Sequence, residues 1–193
     1  MEEAALKELL EQVRRGELDV PGAVARLRRL PFEEMGFATV DHHRGIRCGF
    51  PEVIFCPGKT PEQVRAIFAK LAAAGGRVLA SRASREMYDA VAAEFPDAEW
   101  HEQARAVTLR TGDRPEPVGH VAIVAAGTSD LPVAEEARVT AEIMDQRVTT
   151  HYDVGVAGLH RLLARSEALQ SANAVVVVAG MEGALASVVG GLV

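Results

Sequence analysis

From Val118 to Val193 the chain repeats one pattern three times: an apolar run, a glycine-containing turn, then a helix. Val118–Ala126 leads into Gly127-Thr128-Ser129-Asp130 and a helix to about Asp145. Val148–Asp153 leads into a turn broken at Gly155 and Gly158 and a helix from about Ala157. Ala174–Ala179, nearly all valine, leads into Gly180-Met181-Glu182-Gly183 and a helix of small residues. Strands that alternate with helices must cross over between them, which predicts a parallel sheet with right-handed connections. The expected architecture is a three-layer α/β/α parallel sheet of the flavodoxin-like type. Three strands alone leave an apolar edge uncovered, so the domain reads as truncated at its C-terminal end.

The preceding residues predict a small α/β domain entered through a helical hairpin. Leu6, Leu9, Leu10 and Val13 lie at helical spacing over 2–15, and Gly16 stops that helix. Asp19 and Pro21 start a second helix with Val24, Leu27 and Leu30 as its expected buried stripe. Phe37–Val40 and Val53–Phe55 read as short strands. Thr60-Pro61-Glu62-Gln63 is a capping box with proline at the first helical position. That helix should bury Val64, Ile67, Phe68 and Leu71 and end at Gly75-Gly76. Val78–Ala80 and Ala106–Leu109 predict two more strands, and Ser84 caps a helix running toward Phe95. The polar, proline-containing stretch Thr111–Pro117 predicts a linker. The expected division is a domain over 1–110, a linker over 111–117 and a second domain over 118–193.

Composition narrows the function classes. The net charge of -6 argues against a nucleic-acid coat, because phosphate backbones are bound by clustered Lys and Arg. Two cysteines, Cys48 and Cys56, are too few for a disulfide scaffold. The N-terminus is acidic and amphipathic with no apolar signal region, and the longest apolar stretch outside the C-terminus is too short and too glycine-broken to span a membrane. The expected setting is the cytoplasm.

In a parallel sheet, ligands bind beyond the C-terminal ends of the strands, and all three turns lie on that edge. Around Gly127, Thr128, Ser129 and Asp130, backbone amides, hydroxyls and a helix N-terminus form an anion cradle. The competing reading is a plain helix cap by Ser129 or Asp130. Beside the second turn, Arg161 offers a phosphate fork and His160 a proton carrier. The third turn is spaced Gly180, Gly183, Gly190, Gly191 and does not fit a dinucleotide fingerprint. Gly58-Lys59-Thr60 is not a phosphate loop, since Val53 stands where glycine is required. A zinc set of His42, His43, Cys48 and Cys56 matches no common spacing.

The strings AGTSDLPVAEEA, DVGVAGLHRLL and VVVVAGMEGALASVVGGL, in this order on consecutive strands, carry a family resemblance. They are similar to the aminoimidazole ribonucleotide carboxylase/mutase (PurE-like) domain. With DHHRGIRCGFPEVIFCPGKT, the chain from about Phe37 onward resembles the LarB family of nickel-pincer cofactor biosynthesis, members of which have been called circadian phase modifiers. The resemblance implies an enzyme that carboxylates the pyridinium ring of nicotinic acid adenine dinucleotide with CO2 or bicarbonate. It also implies hydrolysis of the phosphoanhydride, which releases AMP. No tightly bound cofactor is expected; Mg2+ is a candidate through Glu182. A symmetric homo-oligomer, an octamer, is implied, with neither a nucleic-acid nor a membrane partner.

Carried over by residue, the resemblance assigns substrate binding to Gly127, Thr128, Ser129, Asp130, Asp153, Arg161, Gly180, Met181, Glu182 and Gly183. His160 becomes the acid/base or positioning residue. Asp41, Arg44, Arg47 and Lys59 are candidate contacts from the N-terminal motif, with surface turn charges as the equal alternative. The nucleophilic cysteine of the family is expected C-terminal to the third turn, beyond Val193, and neither Cys48 nor Cys56 replaces it. Two other functions stand beside this one: a purine-pathway ribonucleotide carboxylase or mutase, and a non-catalytic nucleotide-binding regulator.

Overall fold

A computed structural model describes residues 3–27 and 32–193. The chain divides into two compact units, Met1–Glu99 with Val107–Gly112 and Trp100–Ala106 with Asp113–Val193. Residues 111–119 carry neither helix nor strand.

The first unit opens with α1 (Glu3–Arg14) and α2 (Val20–Leu27). They form the expected hairpin, but only part of the predicted stripes is buried. Leu9 and Ala23 are buried, whereas Leu10 is 55% and Val24 50% exposed. Leu30 lies outside the described residues. Next come β1 (Phe32–Glu34) and β2 (Thr39–Asp41), an antiparallel pair in which Glu33 faces Val40. The strand predicted at 37–40 is therefore shifted, and Phe37 sits in the turn. The short α3 (Arg44–Cys48) follows.

A four-stranded sheet follows in chain order, formed by β3 (Val53–Phe55), β4 (Arg77–Ser81), β5 (Glu99–His101) and β6 (Ala106–Arg110), in the order β3-β4-β6-β5. β3 and β4 are parallel, β4 and β6 antiparallel. Between the strands run α4 (Pro61–Ala73) and α5 (Arg85–Ala92). Thr60 caps α4 as its sequence demands: Thr60 Oγ1 accepts from Gln63 N at 3.3 Å, and Gln63 Oε1 accepts from Thr60 N at 3.0 Å. Such a cap contributes about 0.5–2 kcal/mol. The predicted face Val64, Ile67, Phe68 and Leu71 is buried, and Phe68 meets Phe95 at 5.5 Å between ring centroids.

The second unit holds β7 (His120–Ala125), α6 (Leu131–Ile143), β8 (Arg147–His151), α7 (Leu159–Leu163), α8 (Ser166–Gln170), β9 (Ala174–Val178) and α9 (Ala184–Gly190). The sheet runs β8-β7-β9, and both pairings are parallel. This is the doubly wound order, with the first strand at the centre. β7 alternates its side chains between two cores. Ala122 and Val124 pack with Leu162, Leu169, Leu185 and Val189 on one face. Ile123 and Ala125 pack with Ala134 on the other. Helices therefore cover both faces, giving the expected three-layer α/β/α arrangement. Each fully buried Val, Leu or Ile contributes about 1.5–3 kcal/mol. No helix among the described residues is long and apolar enough to cross a membrane.

Candidate functional site

Parallel pairing puts the turns after β7, β8 and β9 on one edge of the second unit, and hydrogen bonds join them there. Ala126 N donates to Val178 O at 3.0 Å, tying the first turn to the end of β9. Val154 N donates to Ala125 O at 3.1 Å and Gly155 N to Ala126 O at 3.0 Å, laying the second turn against the first. A Cβ on Gly155 would stand 2.9 Å from Ala126 O, so only glycine allows this approach.

In the first turn, Thr128–Asp130 forms a single 3-10 turn entering α6. Thr128 and Ser129 are exposed. The simple cap reading of Asp130 does not hold, because its side chain makes no cap bond to α6. Its carboxylate points backward: Oδ2 accepts from Gly127 N and Oδ1 from Gly180 N, each at 3.0 Å.

In the second turn, Asp153 adopts φ +56 and pairs with the guanidinium of Arg161 through Oδ2 and Nη1. The predicted phosphate fork is thus held by an acidic neighbour. Arg161 lies across Gly158, where a Cβ would come 2.5 Å from Nε. His160 is exposed beside it in α7.

Next to this turn lies a polar network. Arg138 bonds Glu135 at 2.8 Å and Glu142 at 2.7 Å, the neighbours expected along one helix face. Tyr152 Oη donates to Glu135 Oε1 at 2.5 Å, linking α6 to the end of β8. Burial, followed by Glu135, pushes the Tyr152 phenol up to about 12. Burial alone would raise Glu135, but the bonds from Arg138 and Tyr152 outweigh it and hold the carboxyl below its usual range. Tyr152 and Glu135 are absent from the predicted set, since their pairing spans the crossover.

Among the described residues, the third turn carries the longest run of left-handed backbone. Met181, Glu182 and Gly183 follow one another at φ 34, 45 and 68. Left-handed backbone costs roughly 1–2 kcal/mol per non-glycine residue and concentrates at functional sites. It displays Met181 at 89% exposure, with Glu182 exposed beside it.

Among the candidates of the first unit, Asp41 and Arg47 engage each other. Arg47 Nη2 donates to Asp41 Oδ2 at 2.7 Å, and Asp41 Oδ1 accepts from His43 N at 3.0 Å. Lys59 Nζ donates to Phe55 O at 2.7 Å. Arg44 is exposed at the start of α3. Glu33 accepts from Lys70 at 2.6 Å and contacts buried His42 at 3.2 Å; Lys70 first, then His42, lowers its pKa. Cys48 is exposed and Cys56 buried, and burial pushes the Cys56 thiol up to about 11. Cys56 is therefore no activated nucleophile. Among the described residues, no three His, Cys, Asp or Glu side chains gather to hold a metal ion, so the zinc set is not assembled.

The second unit is thus a doubly wound α/β unit whose three crossover turns meet at one rim. A family model described as the LarB/PurE-like N-terminal domain matches residues 32–111. An uncharacterized protein of Methanocaldococcus jannaschii, MJ0165, is 32% identical over 197 residues, covering 97% of this chain and 77% of that protein. The chain belongs to the LarB/PurE-like family, which is of the carboxylase/mutase kind.

Proposed function

We propose that this protein carboxylates the pyridinium ring of nicotinic acid adenine dinucleotide and hydrolyses its phosphoanhydride, in nickel-pincer nucleotide biosynthesis. CO2 or bicarbonate supplies the carboxylate, which replaces a ring proton. Water cleaves the pyrophosphate, and AMP leaves. The observation that carries the reading is the hydrogen-bonded union of three glycine turns at the C-terminal edge of a parallel sheet. Such an edge is where doubly wound folds bind phosphorylated ligands.

In this reading Gly127, Thr128 and Ser129, with the N-terminal amides of α6, receive a phosphate. Arg161, oriented by Asp153, supplies a second cationic contact. His160 moves a proton or positions the ring. Gly180, Met181 and Gly183 cover the ligand, with the apolar Met181 against a ring face. Mg2+ takes one or two carboxylates together with phosphate oxygens. Glu182 with the substrate's pyrophosphate is the arrangement these residues allow. Few cysteines, one of them buried, fit a cytoplasmic setting. Assembly as a homo-octamer belongs to the same proposal.

The test is incubation of the full-length protein, including the segment expected to carry the nucleophilic cysteine, with labelled bicarbonate and either nicotinic acid adenine dinucleotide or aminoimidazole ribonucleotide. The proposal expects AMP and a labelled pyridinium product from the dinucleotide. Turnover of the imidazole alone would transfer the assignment to purine chemistry. Tight AMP binding with turnover of neither would make the protein a regulator.

A further inference from the structure

We infer that Asp130 is a positioning residue of the rim, a carboxylate clip that fixes the third turn against the first. Residues at this position of a helix ordinarily reach forward to its free amides. Asp130 makes no such bond. Its two oxygens instead take separate backbone donors, Gly127 N and Gly180 N, each at 3.0 Å. Hydrogen bonds to an ionised carboxylate are stronger than those between neutral groups. Gly180 N belongs to a strand end fifty residues further along the chain, so the bond fixes tertiary rather than helical geometry.

The backbone just beyond Gly180 explains why such a clip is needed. Met181, Glu182 and Gly183 are all left-handed, at φ 34, 45 and 68. A run of this kind persists only where its surroundings over-determine it. Gly183 N donates back to Gly180 O at 3.2 Å, so Gly180 is where the strained turn closes. Asp130 holds the amide of that same residue. The clip therefore sets the direction in which Met181 is displayed. By holding Gly180 N, Asp130 acts on a ligand through the third turn. This consequence rests on the proposed ligand reading; the clip itself rests on the geometry alone.

The experiment compares the wild-type chain with Asp130→Ala and Asp130→Asn by amide hydrogen exchange without ligand, by AMP affinity and by thermal denaturation. In ligand-free Asp130→Ala, exchange over Gly180–Gly183 should accelerate by about tenfold or more, the effect of removing a hydrogen bond to a charged group. Protection within β7 and β9 should stay unchanged. Asp130→Asn should fall between, since its amide oxygen keeps one bond; it carries the test if the alanine variant does not fold. AMP affinity should weaken in the same order. Unchanged exchange over Gly180–Gly183 in the ligand-free variants would overturn the clip, and a loss of AMP affinity alone would make Asp130 a direct ligand contact. A wild-type protein that does not bind AMP would sink the proposed function, while the exchange data would still decide the clip.

Discussion

In the first unit the motif DHHRGIRCGFPEVIF directs its charges at itself, with Asp41 holding Arg47 and the amide of His43. In the second unit the motif residues are arranged around glycine turns, and their polar groups lie at an edge with strained backbone. Both segments carry the family resemblance, yet they solve different problems. A short loop between small strands needs internal ion pairs to keep its shape. A sheet edge needs close backbone approach and donors that face outward. A shared resemblance therefore does not mean a shared role.

Five substitutions break or sharpen that contrast. The largest effect belongs to the core of the first unit. Phe68→Ala should destabilise it by about 3–5 kcal/mol, read by chemical denaturation, because the ring is fully buried against Phe95. Gly155→Ala comes next. A Cβ forced to 2.9 Å from Ala126 O should cost about 1–3 kcal/mol and weaken AMP binding, since the second turn must move away from the first. Asp41→Ala in the first unit should leave AMP affinity unchanged; a comparable loss there would erase the contrast.

Asp153→Asn is smaller and concerns binding alone. It removes the charge that holds Arg161, and AMP affinity should change by about tenfold or less, measured by calorimetry. Weaker binding is expected, because Asp153 orients the fork; tighter binding would mark it instead as a competitor of the phosphate.

The smallest effect is pH-dependent. Burial first, then Arg165 and His120, depresses the pKa of His151 below its ordinary 6.5, and its buried Nε2 has no hydrogen-bond partner. The folded state therefore binds fewer protons than the unfolded chain below that value. Stability should fall as pH drops from about 6.5 through the lower folded value, by linkage. His151→Phe should flatten this acid-side loss in thermal denaturation, while an unaltered profile would place the effect elsewhere.

The sequence made some of this structure legible and hid the rest for physical reasons. The capping box at Thr60 and the apolar face of α4 were readable because both are local, set within one or two turns of helix. The parallel sheet was readable because buried strands are continuous apolar runs. β1 and β5 were not: Phe-Glu-Glu and Glu-Trp-His become strands only through a partner. The nearly all-valine run of β9 was readable as a strand, yet Val176 is exposed, because burial depends on which strand sits at the sheet's edge. The three turns and their glycines were readable as a common edge. The role of Asp130 was not, since a cap-like position gives no sign of a donor fifty residues away. Nor was the capture of Arg161 by Asp153, which needs the left-handed turn at Asp153.

The most direct measurement is an amide chemical-shift titration of the whole chain with AMP. The account predicts the largest shifts at Gly127–Asp130, Gly155–Arg161 and Gly180–Gly183, saturating together with one dissociation constant. Shifts confined to residues 41–59, or scattered with no common saturation, would contradict it.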